Sequence, residues 1–141
     1  MTKLEILHKS QELGGDERRD GLEKLMIKGR DMGCTLEIGG GKAGGINFRY
    51  GSIRYAVLDI NCDGEVKLYA SPHPGKPAPE ELHQALNDFI ESTEGLEPRQ
   101  FPIGTYGMLK AKIEEVPTES LESFMSTAIA LIRQEYYGLS A

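Results

Sequence analysis

The spacing of apolar residues is helical in the first 33 residues of the chain. Leu22, Leu25 and Met26 form one apolar face. The glycine pair at 14–15 interrupts the pattern, because glycine in a helix interior lowers helix stability. We therefore predict two successive helices, the second ending at Gly33.

Beyond Gly33 the apolar period changes to two, which is typical of strands with one buried face. The segment IRYAVLDI at 53–60 is apolar on both faces through its middle and is predicted to be a central strand. Similar alternation predicts further strands at 34–38, 46–50, 65–70 and 109–113. The four strands between residues 34 and 70 follow one another closely, so an antiparallel meander is their simplest arrangement.

Two amphipathic helices are predicted in the second half of the chain. The first covers 79–93 and follows a proline-rich stretch. Its apolar stripe consists of Leu82, Ala85, Leu86, Phe89 and Ile90. The second helix covers 118–137 and begins at Thr118, after Pro117.

These elements predict an α+β fold in a single domain over 1–141. A mainly antiparallel sheet of about five strands forms its core over 33–137, with both later helices packed on one face. The helical N-terminal segment over 1–32 completes the domain. An uncovered edge strand would also permit a homodimer.

Composition and charge narrow the function classes. The chain has 39% hydrophobic and 27% charged residues, which are globular values, and its formal net charge is −6. This negative charge makes nucleic acid an unlikely general partner. The densest charge cluster, DERRD at 16–20, mixes both signs and is predicted to be a solvated helix start.

The sequence predicts a cytoplasmic protein without a cofactor. It contains neither a signal-peptide pattern nor an apolar stretch of transmembrane length, so no membrane association is expected. Cys34 and Cys62 are far apart and form no CxxC pair, so we expect two buried free thiols.

The glycine-rich stretch LEIGGGKAGGINF resembles a phosphate-binding loop. Gly39, Gly41 and Gly44 satisfy G-x-G-x-x-G, but the dinucleotide motif requires a helix next, and a strand pattern follows here. A P-loop requires Ser or Thr after its lysine, whereas Ala43 follows Lys42. The stretch 39–45 is therefore predicted to be a hairpin turn.

The segment DINCDGEVKLYA resembles the start of an EF-hand calcium loop. Asp59, Asn61 and Asp63 occupy the alternating ligand positions, and Gly64 occupies the bend. Ala70 stands where the bidentate glutamate should be. The sequence leaves two interpretations, a weak metal site at the first three residues or a hairpin turn formed by Asp-Gly, and we favour the turn.

A second candidate site uses the same strand. Glu65 and Lys67 match the E-x-K pattern of restriction-type nucleases, in which a carboxylate binds a metal and a lysine orients water. Asp59 could supply the upstream carboxylate. The alternative is an ordinary pair of surface charges on one strand face.

Aromatic and histidine residues offer less specific signals. An aromatic and basic sheet face for stacking bases could be built from Phe48, Tyr50, Tyr55, Tyr69, Arg49 and Arg54. Net charge argues against it, and Tyr55 is expected in the core. His8, His73 and His83 lack metal spacing, and His83 is predicted to lie on the solvated side of its helix.

The segment GTYGMLKAKIEEVPTESLESFMSTAIALIRQEYY at 104–137 resembles the end of a family of small domains of unknown function. Members occur alone or attached to predicted nuclease and transport proteins. The resemblance implies an α+β fold and no established catalytic residue. It rests on Gly104, Gly107, Leu109, Ile113, Ser120, Leu121, Leu131, Ile132 and Tyr136.

The leading functional hypothesis is a non-catalytic module that binds a protein or small ligand through the loops at 71–79 and 94–107. The alternative is a small nucleic-acid- or nucleotide-linked enzyme, or an accessory domain of one. Convergence of Asp59, Glu65 and Lys67 in a cleft would favour the enzyme.

Overall fold

A computed structural model describes residues 1–39, 43–69, 80–93 and 108–138 of the chain. Its first helix, α1, spans Lys3–Asp31. It begins with a capping box, in which Thr2 Oγ1 accepts from the Glu5 amide at 3.1 Å and Glu5 Oε1 accepts from the Thr2 amide at 3.0 Å. Gly15 has φ 83° and ψ −174°, which is not helical. The predicted interruption at the glycine pair is therefore confirmed, although the two helical parts are directly continuous.

Five antiparallel strands form one sheet in the order β1-β2-β3-β4-β5. The predicted meander and α+β class are confirmed. The last strand ends one residue earlier than predicted, because Ile113 begins a short 3₁₀ helix. The strands are β1 at Cys34–Gly39, β2 at Gly45–Tyr50, β3 at Tyr55–Asn61, β4 at Glu65–Tyr69 and β5 at Met108–Lys112.

The helices bury one face of the sheet, which we call the inner face. α1 and the last helix, α3 at Thr118–Tyr137, both pack there. The helix between β4 and β5, α2 at Glu80–Ser92, packs on α3, where the Phe89 and Phe124 rings lie 5.3 Å apart. The inner face bears the fully buried Ile46, Phe48, Leu58, Ile60, Val66 and Leu68.

The contact between α1 and the sheet depends on a glycine. A Cβ atom at Gly29 would lie 2.7 Å from the ring of Phe48, which is closer than carbon atoms can approach. The missing side chain lets α1 lie directly against β2. Ile6, Leu22 and Leu25 are fully buried on the same side of α1.

Arg18 is an exception in the predicted solvated charge cluster at 16–20, in which Asp16, Glu17 and Asp20 are exposed. The Arg18 side chain is only 14% exposed and forms an ion pair with Glu114 in the 3₁₀ helix. Its Nη1 also donates to the carbonyl oxygen of Cys62 at 3.2 Å. Sequence spacing could not indicate this role, because both partners are distant along the chain and only the fold brings them together.

Among the described residues, no helix combines the length and apolar character needed to cross a membrane.

Candidate binding face of the sheet

The side of the sheet opposite the inner face, here called the outer face, carries a row of polar residues across all five strands. The strand register places each member directly opposite the next. Because side chains alternate along a strand, all of them project from the same side. From β1 to β5 the row is Glu37, Asn47, Asp59, Lys67 and Lys110.

Asp59 lies at the centre of this row and is already engaged. Arg49 Nη1 donates to one carboxylate oxygen at 2.7 Å, and the Tyr69 hydroxyl donates to the other at 2.7 Å. The Asp59 side chain is 11% exposed and that of Arg49 is 17% exposed. The carboxylate is thus charge-compensated within the sheet, which is how a buried charge is normally stabilised.

The proposed calcium ligands follow the chain through a tight hairpin. Asp63 Oδ1 accepts from the Glu65 amide at 2.9 Å, and the Asn61 carbonyl accepts from the Gly64 amide at 2.9 Å. These bonds form the predicted turn between β3 and β4. No group of three or more His, Cys, Asp or Glu side chains within the described ranges could hold a metal. Calcium binding at Asp59, Asn61 and Asp63 stays a prediction.

For the enzyme hypothesis, the structure brings Lys67 close to Glu65, but the Asp59 carboxylate is already occupied by other partners. Lys67 Nζ lies 3.8 Å from Glu65 Oε1, and Lys67 is directly opposite Asp59. Both carboxylate oxygens of Asp59, however, accept hydrogen bonds from Arg49 and Tyr69. A metal at this position would have to displace these donors.

Three lysines occupy the β4–β5 side of the outer face, and we call Lys67, Lys110 and Lys112 the lysine strip. Lys67 and Lys110 are directly opposite each other, an arrangement that destabilises a sheet when the charges are alike. Lys112 lies opposite Glu65, and its Nζ donates to the Asp63 carbonyl at 3.0 Å. Lys110 is exposed and has no ion-pair or hydrogen-bond partner for its ammonium in the described part of the chain.

Sequence reasoning missed Lys110 and Lys112. The alternation of LKAKI indicated two lysines on one strand face, but not what lies beside them. Their neighbours come from β4, more than forty residues earlier, so only the register of β4 and β5 brings the three lysines together.

The aromatic and basic face, against which the net charge already argued, does not form. Phe48, Tyr50 and Tyr55 are buried on the inner side, whereas Arg49 projects from the outer face. Adjacent residues of a strand point to opposite sides, so rings at 48 and 50 cannot share a surface with the guanidinium at 49. The expectation that Tyr55 belongs to the core is confirmed.

The glycine stretch joins two antiparallel strands, as a hairpin requires. Gly39 and Gly45 are paired across β1 and β2. A Cβ atom at Gly45 would lie 2.5 Å from the carbonyl oxygen of Ile60, so this glycine permits close packing of β2 on β3. Gly41 and Lys42 lie outside the described residues.

The histidine and cysteine predictions have mixed outcomes. His83 is only 1% exposed, so its predicted solvation is wrong, and His73 lies outside the described residues. Cys34 and Cys62 are free and buried, as predicted. Burial raises the pKa of the Cys34 thiol to about 11 and also raises the pKa of Cys62, whose Sγ donates to the Ile6 carbonyl at 3.6 Å.

The loops at 71–79 and 94–107, the predicted binding rim, lie outside the described residues. No protein-family model, curated protein or solved structure matches this chain. The resemblance of 104–137 to small domains of unknown function therefore stays a prediction.

Proposed function

We propose that this protein is a non-catalytic module that binds an acidic segment of a protein partner at the lysine strip. The observation that carries the proposal is the direct opposition of Lys67 and Lys110 on a chain whose net charge is −6. Like charges that face each other cost stability, and a ligand with carboxylates would turn this cost into a favourable interaction.

The other cations of the outer face support a lysine-based site. Arg49 is held by Asp59, and Arg54 is held by Glu37 through two hydrogen bonds, including one of 2.6 Å to Oε2. These guanidinium groups already have carboxylate partners. The ammonium of Lys110 is therefore the available cation in the described part of the chain, while Lys67 lies 3.8 Å from Glu65 Oε1 and Lys112 donates to a backbone carbonyl at 3.0 Å. These ammonium groups act as compact point charges.

Carboxylates fit this site better than a nucleic-acid backbone. Affinity for phosphate backbones depends on many simultaneous cationic contacts, whereas the strip offers three lysines. The negative charge of the whole chain would repel a long polyanion at a distance. A short acidic segment of a protein needs only local complementarity.

The test compares two variants with the same change of charge. One replaces the strip, Lys67→Gln, Lys110→Gln and Lys112→Gln. The control replaces the exposed α1 lysines, Lys3→Gln, Lys24→Gln and Lys28→Gln. Fluorescence anisotropy measures the affinity of both for a short labelled oligoglutamate peptide, and urea unfolding verifies that each is folded.

We expect the strip variant to bind about tenfold more weakly or worse, a loss of at least roughly 1.4 kcal/mol, and the control to bind nearly as wild type. Equal losses in both variants would reduce the effect to net charge and contradict the proposal. Tighter binding of a single-stranded oligonucleotide of matched charge would replace it with a nucleic-acid function.

A further inference from the structure

β5 is the last strand of the sheet in the described part of the chain, and its hydrogen bonding shows which backbone groups face its open edge. The Ile113 amide donates to the Gly64 carbonyl on the β4 side at 2.9 Å. Backbone groups alternate in direction along an antiparallel strand, so the amides of Ala111 and Leu109 also point towards β4. Those of Lys110 and Lys112 point away from the sheet.

Lys110 and Lys112 thus combine two features. Their side chains belong to the lysine strip on the outer face, and their backbone N–H and C=O groups lie on the open edge. A strand added at this edge would form hydrogen bonds with these two residues. Its residues directly opposite them would project from the outer face, beside the ammonium groups.

We propose that β5 binds its partner as an added antiparallel strand, with carboxylates at two alternate positions opposite Lys110 and Lys112. This inference rests on the proposed acidic partner and specifies its conformation and spacing. Backbone pairing supplies affinity, and the two carboxylates select the register.

A second copy of this chain is a poor occupant of the same edge. Its own β5 would place lysines against lysines. Its β1 would offer Glu37, but Arg54 already binds both oxygens of that carboxylate. Charge complementarity therefore favours a different, acidic chain.

The geometry of antiparallel pairing gives a sharp test. A residue opposite Lys110 in a hydrogen-bonded pair directs its own N–H towards β5. In a peptide that alternates glutamate and threonine, the glutamate amides therefore face β5 when the glutamate side chains lie beside the lysines. The threonine amides face solvent.

The experiment uses three peptides of about eight residues with this alternating sequence. One has an unmodified backbone, one carries N-methyl groups on the glutamates, and one carries the same number on the threonines. All three have the same charge. Their affinities for the full chain are measured by anisotropy, and amide hydrogen exchange is followed at β5.

We expect N-methylation of the glutamates to weaken binding about tenfold or more and methylation of the threonines to leave it nearly unchanged. The unmodified peptide should slow amide exchange at Lys110 and Lys112, which exchange faster than Leu109 and Ala111 in the protein alone.

Equal affinity of all three peptides, still lost in the strip variant, would overturn strand addition and leave the proposed acidic-partner function standing. Weaker binding of the threonine-methylated peptide alone would overturn the antiparallel pairing. Slow exchange at Lys110 and Lys112 before peptide is added would show that the edge is already occupied and would also overturn the inference. No binding of any of these peptides or of the oligoglutamate peptide would remove the proposed function itself.

Discussion

At the scale of single residues, Asp59 illustrates how partners change the meaning of a side chain. In the sequence it is the first oxygen ligand of a calcium-like loop or the first carboxylate of a nuclease-like site. In the sheet it accepts hydrogen bonds from Arg49 and Tyr69, one donor on each neighbouring strand. Cross-strand diagonal contacts of this kind depend on register, which the sequence around Asp59 does not contain.

Replacing Asp59 with asparagine should therefore destabilise the protein. Asp59→Asn keeps the shape of the side chain but leaves the Arg49 guanidinium, 17% exposed, without its counter-charge. We expect the free energy of unfolding to fall by about 2 kcal/mol, measured by urea denaturation.

Glu37→Gln is the matched control for this prediction. It removes the carboxylate partner of Arg54, whose side chain is 61% exposed, so water can replace the lost interaction. Its effect should be clearly smaller than that of Asp59→Asn. Equal effects would mean that burial of the Arg49–Asp59 pair adds nothing to its contribution.

At the scale of elements, the glycine pair in α1 correctly predicted an interruption, but it does not separate the two helical parts. The glycine pair predicted the interruption, and Gly15 provides it with a backbone conformation that other residues rarely adopt. The chain nevertheless continues directly into the next helical part. Ile6 before the interruption and Leu22 after it are both buried in one core, which holds the two parts together.

Substitution of Gly15 should test the energetic role of this interruption. An alanine Cβ there would contact nothing within 4 Å, so Gly15→Ala changes the backbone preference alone. Because Gly15 has φ 83° and ψ −174°, a conformation that alanine rarely adopts, we expect the free energy of unfolding to fall by about 1–3 kcal/mol. Thermal and urea unfolding measure it.

Gly138→Ala provides the comparison, since a Cβ at this α3 cap also contacts nothing within 4 Å. Its φ of 63° and ψ of 24° lie in the left-handed region, which alanine enters at a cost of roughly 1–2 kcal/mol. The loss should be smaller than for Gly15→Ala. A larger loss would contradict the assignment of strain by backbone region.

At the scale of the whole molecule, the core contains titratable groups that must stay neutral. Burial raises the pKa of Cys34 from 9.0 to about 11, and it also raises the pKa values of Cys62 and Tyr55. All three belong to the same hydrophobic core. Because all three must stay protonated in the folded core, the stability of the fold is expected to fall at alkaline pH.

For Cys34, the expected change in stability with rising pH is a loss. Above pH 9 the unfolded chain releases the thiol proton, while the folded chain retains it until about pH 11. The unfolded state therefore binds fewer protons, and stability that is fully present below pH 9 falls through this interval. One such group contributes a slope of at most about 1.4 kcal/mol per pH unit.

Urea midpoints at several pH values between 8 and 11 would measure this slope. Cys34→Ala should lower stability at every pH because it leaves a cavity, but its alkaline slope should be shallower than in wild type. Ile46→Val, which alters the core without a titratable group, should retain the wild-type slope. An unchanged slope in Cys34→Ala would contradict the burial argument.

The sequence by itself determined the order and type of the elements, since helical and alternating apolar patterns are local and the strands follow one another in a meander. It also indicated that the glycine stretch connects two antiparallel strands and that the Asp-Gly segment is a turn, because glycine geometry and flanking alternation act over a few residues. The tertiary structure decided which polar side chains meet. The Arg49–Asp59–Tyr69 contacts, the ion pair of Arg18 with Glu114 and the lysine strip all join residues through strand register or helix packing. Such contacts depend on distances across the fold, and no spacing along a single strand or helix encodes them.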